Sequence, residues 1–131
     1  MAERKKVLVV EDEADIRTFI VATLSDMDLD IREAKDGEEG MREATAMEPD
    51  LVILDIQLPK VNGFTVFRHI KANRTLRWTR VLVLTSLNAR LDYEISKSDF
   101  RDITGNEPDA YLEKPFDVDK LKATVTKLLH E

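Results

Sequence analysis

Three runs of branched apolar residues punctuate the chain: VLVV at 7–10, LVIL at 51–54 and VLVL at 81–84. None of them alternates apolar with polar residues. Each therefore reads as a strand covered on both faces, the condition of a parallel sheet. The residues between the runs follow a different period. Ile16, Phe19, Ile20 and Leu24 fall on one helical stripe, and Met41, Ala44 and Met47 on a second. Phe64, Phe67 and Ile70 make a third stripe, and Val118, Leu121, Val125 and Leu128 a fourth. Weaker strand patterns lie in DIREA around Ile31 and DAYLE around Tyr111. Such alternation implies right-handed crossovers, a parallel sheet and helices on both of its faces: a doubly wound α/β fold.

Local signals support the same elements. Asp36-Gly37 marks a turn and helix start, and Asp117 is placed to cap the final helix. Gly40, a poor helix former, is expected to weaken the second helix. The stretch from Leu87 to Asp109 is the least regular. Leu91 and Ile95 suggest one stripe, Tyr93, Phe100 and Ile103 another, and Gly105 and Pro108 end any helix there. A helix is expected within it.

At 131 residues, with no internal repeat, linker or low-complexity tract, the chain is expected to form one domain over 1–131. There is no cysteine, which excludes structural disulfides, thiolate catalysis and cysteine-based zinc sites. A net charge of −6 argues against general nucleic-acid binding, and no direct contact with nucleic acid is expected. The apolar run near the N-terminus stops after four residues at Glu11, too short for a signal-peptide core. No segment approaches a membrane span. By elimination, a cytoplasmic location is expected, with no membrane partner.

In a parallel sheet of this kind, ligands bind beyond the carboxyl ends of the strands. The first strand ends in Glu11-Asp12-Glu13, the third in Asp55, the fourth in Thr85-Ser86, and the fifth delivers Lys114 before Pro115. Carboxylates brought together there repel one another and raise each other's pKa. A divalent cation removes the conflict. Oxygen ligands with no His or Cys beside them select a hard ion, and Mg²⁺ suits a few carboxylates plus water and phosphate. Asp55 is then a plausible nucleophile toward a phosphoryl group, with Thr85 and Lys114 to bind its oxygens. Any one of these residues alone has an ordinary structural reading, as a loop acid, a turn or a helix cap. Their joint placement on one sheet edge is the informative feature.

This set of residues closely resembles the response-regulator receiver domain of two-component signalling. The blocks VLVVEDE, LVILDIQLPKVNGF, VLVLTS and AYLEKPF match that family in order and spacing over essentially the whole chain. The resemblance implies a flavodoxin-like (βα)₅ fold with a five-stranded parallel sheet. It further implies that Asp55 accepts a phosphoryl group from a histidine kinase or phosphotransfer protein. Glu11 and Asp12 would hold Mg²⁺ together with Asp55 and the main-chain carbonyl of Gln57. Thr85 would be the switch hydroxyl, Tyr111 the switch aromatic and Lys114 the phosphate-binding lysine. Gln57 and Leu87 would flank the path of water and set the lifetime of the phosphorylated state. The Lys114–Pro115 peptide is commonly cis in the family. Such a module controls a downstream partner that the sequence does not name, and phosphorylation-dependent homodimerisation is one form this takes in the family.

The chain departs from the family pattern in three places: TGNEPDAYL replaces the usual Gly-Ala before the fifth strand, Gly40 stands where the second helix usually has a better helix former, and the chain before the fifth strand is long. Thr85 and Lys114 are 29 residues apart, longer than the norm by roughly two helical turns' worth of chain. The extension falls within 87–109, beside a face often used for output or dimerisation. Three other readings compete. One is a receiver fold used as a phosphorylation-independent binding platform, against which the full set of acids, Thr85 and Lys114 speaks. An aspartate-nucleophile phosphatase usually carries a second acid two residues after the nucleophile, where this chain has Gln57. A flavodoxin-like cofactor module needs a phosphate-cradling loop after the first strand, where the acids from Glu11 to Glu13 repel phosphate.

Other features are weaker. Arg68, Lys71, Arg74, Arg77 and Arg80 lie in a stretch without an acid, either a docking patch or a solvated helix end and loop. Trp78, within it, is expected to anchor partly in the core. His69 and His130 are expected at the surface or its boundary.

Overall fold

The computed structural model describes residues 4–58, 61–86 and 106–130. In chain order the elements are β1 (Lys6–Val10), α1 (Ala14–Leu24), β2 (Asp30–Ala34), α2 (Gly37–Met47), β3 (Leu51–Asp55), α3 (Gly63–Ala72), β4 (Arg80–Ser86), β5 (Ala110–Lys114) and α4 (Val118–Leu129). The strands form one parallel sheet in the order β2-β1-β3-β4-β5. This is the doubly wound parallel sheet expected from the alternating pattern, in the five-stranded flavodoxin-like arrangement that the family resemblance implies.

The central strands are apolar along their middles because both faces are covered. Leu8, Val10, Val52, Leu54, Val81 and Val83 pack with Ala44 and Met47 of α2 and Val66, Phe67 and Ile70 of α3. The alternate residues, Val7, Val9, Leu51, Ile53, Leu82 and Leu84, pack with Ile20 and Leu24 of α1 and Leu121, Val125 and Leu128 of α4. Successive side chains on a strand point to opposite faces, so one continuous run supplies both cores.

The edge strand β2 gives a weak sequence signal for a physical reason. Asp30, Arg32 and Glu33 are exposed, and only Ala34 is buried. The helix starts follow the capping chemistry. Asp36 accepts from the Glu39 amide at 2.8 Å, Asn62 from the Thr65 amide at 3.0 Å and Asp117 from the Lys120 amide at 2.7 Å. The Lys114–Pro115 peptide is cis.

One expectation needs correction and another an addition. Trp78 is not a core anchor: 79% of it is exposed, and the Arg77 guanidinium lies 5.2 Å from its ring centroid. Leu76 is the residue of this turn that enters the core, while the buried Thr79 hydroxyl donates to the Pro49 carbonyl at 2.8 Å. Gly40, read only as a weakness in α2, is a point of close packing. A Cβ there would lie 2.9 Å from Cγ1 of Val10, so the glycine lets α2 approach β1. The expected helix within 87–109 falls almost wholly outside the described residues, as do Leu87, Tyr93 and Phe100.

Candidate functional site

The register explains why the acids meet. Val10 of β1 pairs with Leu54 of β3, so Glu11 and Asp55 are each one residue beyond the same rung. Glu11 continues the alternation of Val7 and Val9, Asp55 that of Leu51 and Ile53, and Lys114 that of Ala110 and Leu112. All three therefore fall on the α1/α4 side of the sheet. Thr85 continues the opposite series, Val81 and Val83, and Val83 pairs with Tyr111, which packs against the α2/α3 core. The charged trio and the Thr85–Tyr111 pair thus belong to different faces of one edge.

Glu11 and Asp55 are buried, at 0% and 3% exposure, whereas Asp12 is exposed. The three carboxylates each offer an oxygen, and these oxygens lie within 4.8 Å of one another. Lys114 Nζ is 2.7 Å from Oε1 of Glu11 and 3.2 Å from Oδ2 of Asp55. The Gln57 amide donates to Oδ1 of Asp55 at 2.9 Å, and the Glu13 amide to Oε2 of Glu11 at 3.1 Å. Thr85 is buried and Tyr111 partly so. The structure thus brings Glu11, Asp12, Asp55 and Lys114 together, with Gln57 attached through its main chain. Leu87 lies outside the described residues.

The electrostatics follow from burial. Glu11 is pushed up to about 7, first by burial and then by its hydrogen bond with Asp55 and that group's charge, against the pull of Lys114. Asp55 is also raised, because burial outweighs its hydrogen bond with Glu11, the Lys114 charge and the Gln57 amide. Burial disfavours the Lys114 cation, but the contact with Glu11 and the charges of Asp55 and Glu11 prevail and raise it. One ammonium cannot fully neutralise three carboxylates. An all-oxygen donor set with surplus negative charge fits a hard divalent cation.

Two residues that support this site were not singled out from the sequence. A Cβ on Gly63 would lie 2.6 Å from Cα of Ile56 and 2.9 Å from the Asp55 carbonyl oxygen, so α3 starts directly against the backbone that carries Asp55. Arg17 donates through Nη1 to the Glu11 carbonyl at 2.8 Å and through Nε to Oε1 of Glu33 at 3.1 Å. Its signal in the sequence was an anomaly: a cation near a helix N-terminus, where the helix dipole disfavours it.

The basic stretch is partly used up internally. Lys71 Nζ donates to the carbonyls of Thr79 at 2.9 Å and Arg77 at 3.4 Å, and Arg80 pairs with Asp109 at 3.3 Å. His69 is half-buried, 3.2 Å from the Thr45 hydroxyl, and His130 is exposed. No described helix is long and apolar enough to cross a membrane.

Comparison with known proteins shows the family of the chain. The family model described as the response regulator receiver domain matches residues 7–126. The DNA-binding dual master transcriptional regulator RpaA of Synechocystis sp. is 35% identical over 95% of this chain and 48% of its own length. The response regulator ArlR of Staphylococcus saprophyticus is 32% identical over 95% of this chain and 52% of its own. The chain therefore spans about half the length of these curated relatives. Among solved structures, the Vibrio cholerae chemotaxis protein CheY4 superposes with a TM-score of 0.80 at 27% identity, over 97% of this chain and all of that one. The chain belongs to the response regulator receiver domain family of two-component signalling.

Proposed function

We propose that Asp55 is the phosphoacceptor of a signalling switch, charged by a histidine kinase or phosphotransfer protein in the presence of Mg²⁺. The observation that carries this reading is the setting of Asp55. It is a buried carboxylate at the carboxyl edge of the sheet, in contact with the Lys114 ammonium and beside two further acids. A merely structural aspartate needs no such company.

In the reaction, an Asp55 oxygen attacks the phosphorus of the donor phosphohistidine. The O–P bond forms as the P–N bond breaks, and the electron pair leaves on the imidazole nitrogen. Lys114 balances charge on the phosphoryl oxygens, and the Thr85 hydroxyl donates a hydrogen bond to one of them. Glu11, Asp12, Asp55 and the Gln57 carbonyl would hold Mg²⁺, which would supply charge neutralisation for the phosphoryl group. Gln57 and Leu87 flank the approach of water and tune dephosphorylation. Drawn toward the phosphoryl group, Thr85 leaves space into which the Tyr111 ring turns, and the altered surface controls a downstream partner.

Residues 1–131 act here as one receiver module in the cytoplasm, a signalling unit and not a metabolic enzyme. It catalyses only its own phosphorylation and dephosphorylation. Its acidic balance favours protein partners, a second copy of itself included, over direct contact with nucleic acid. DNA binding belongs to the RpaA relative as a whole protein, of which this chain covers about half.

Incubation with a small phosphodonor and Mg²⁺ should add one phosphoryl group, labile to base and hydroxylamine. Asp55→Asn should abolish it. Stoichiometric labelling of that variant would sink the assignment.

A further inference from the structure

We infer that Arg17 is a positioning residue for the candidate metal site, acting through the peptide that joins two of its carboxylates. The inference rests on the Mg²⁺ reading above. Glu11 leaves β1 with its amide still bonded to the Ala34 carbonyl at 3.0 Å. Its own carbonyl accepts from Nη1 of Arg17 at 2.8 Å. That carbonyl belongs to the Glu11–Asp12 peptide, so the bond fixes the plane from which both carboxylates project.

The guanidinium is itself held. Its Nε donates to Glu33 at the end of β2, and the Arg17 side chain is only 21% exposed. Planar and forked, an arginine can bind two acceptors at a fixed angle, which a lysine cannot do. The three anchors lie on different elements: Arg17 on α1, Glu11 past β1 and Glu33 on β2. Together they lock the acidic loop to the sheet edge before any ligand arrives. Outer-shell partners of this kind orient metal ligands, and their loss typically weakens affinity ten- to a hundredfold.

Electrostatics alone predicts the opposite sign. Arg17 is a cation near a cation site, so removing its charge should tighten Mg²⁺ binding. Positioning predicts weakening. The test is calorimetric titration of Mg²⁺ into the unphosphorylated full chain, alongside metal-free melting. Arg17→Met should bind Mg²⁺ roughly tenfold more weakly at a temperature where metal-free melting shows it still folded. Arg17→Lys, which keeps the charge and one donor, should lose part of the affinity, and it carries the test should the Met variant fail to fold. Native or tighter Mg²⁺ affinity in these variants would overturn the inference while leaving the metal site intact. A wild-type chain that takes up no Mg²⁺ would overturn the metal reading itself, and this inference with it.

Discussion

The Lys114 ammonium lies 2.7 Å from Oε1 of Glu11, a carboxylate with no exposure to solvent. Removing one partner of a buried ion pair leaves the other uncompensated, at a typical cost of about 3–5 kcal/mol. Glu11 has a second option, since it can take up a proton. We therefore expect Lys114→Met to lower stability by about 2 kcal/mol at pH 8 and by less at pH 6. Phosphoryl uptake should fall much further than stability does. Urea unfolding at the two pH values, with phosphodonor labelling in parallel, checks both. An equal stability loss at both pH values would show that Glu11 does not titrate in the variant.

Glu11 also makes the metal site pH-dependent. Its folded-state pKa, about 7, stands above the ordinary 4.5. A raised carboxyl pKa means the metal-free fold holds this proton more tightly than the unfolded chain. The resulting stability is full below pH 4.5 and is lost as pH rises through 7. Mg²⁺ needs the deprotonated carboxylate, so its affinity should climb over the same window. We expect the Mg²⁺-induced rise in melting temperature to be larger at pH 8 than at pH 5.5. Glu11→Gln should flatten that difference.

Of the three tight glycines, Gly63 and Gly40 should respond unequally to alanine. At Gly63 the added Cβ meets backbone, at 2.6 Å from Cα of Ile56. Backbone beside a strand end cannot yield cheaply, and a loss of about 1–3 kcal/mol is expected. At Gly40 the obstacle is the Val10 side chain. There, alanine regains close to 1 kcal/mol of helix propensity against the crowding. Gly63→Ala should be the more damaging variant, and it alone should also slow phosphoryl uptake, because its contact is with the Asp55 backbone. Denaturant midpoints and labelling rates read this directly.

Thr85 couples the site to the rest of the chain in the proposed switch. Thr85→Ala should still accept the phosphoryl group, at a rate within a few-fold of wild type. It should lose the change in hydrogen exchange that a phosphoryl mimic induces across residues 87–110. If that stretch exchanges identically with and without the mimic in the wild type while α1 changes, the output surface lies elsewhere.

The parallel sheet was legible because its inner strands are apolar on both faces, a pattern with few other readings. Even β2 was visible, although Asp30, Arg32 and Glu33 make it look like a loop, because Ile31 and Ala34 keep its inward positions. The site acids were legible for the same reason, since strand ends locate them. Trp78 was misread because hydrophobic size says nothing about which residue of a turn faces inward, and the smaller Leu76 took that place. Gly40 was read through propensity, which knows nothing of Val10 across the helix–sheet contact. Arg17 escaped because its hydrogen bonds reach main-chain and side-chain atoms on other elements, brought near only by the fold.

The alternation that sets Glu11, Asp55 and Lys114 on one side of the edge constrains how such a chain can diverge. A single-residue insertion inside β1, β3 or β5 would swing the terminal functional residue to the opposite face. Three separate strands must therefore keep their length while their apolar side chains exchange freely. Length is free to vary in the connections between strands. Lineages of this fold can gain or lose chain in their connections without losing the chemistry, but a deletion of one residue within a strand is fatal to it.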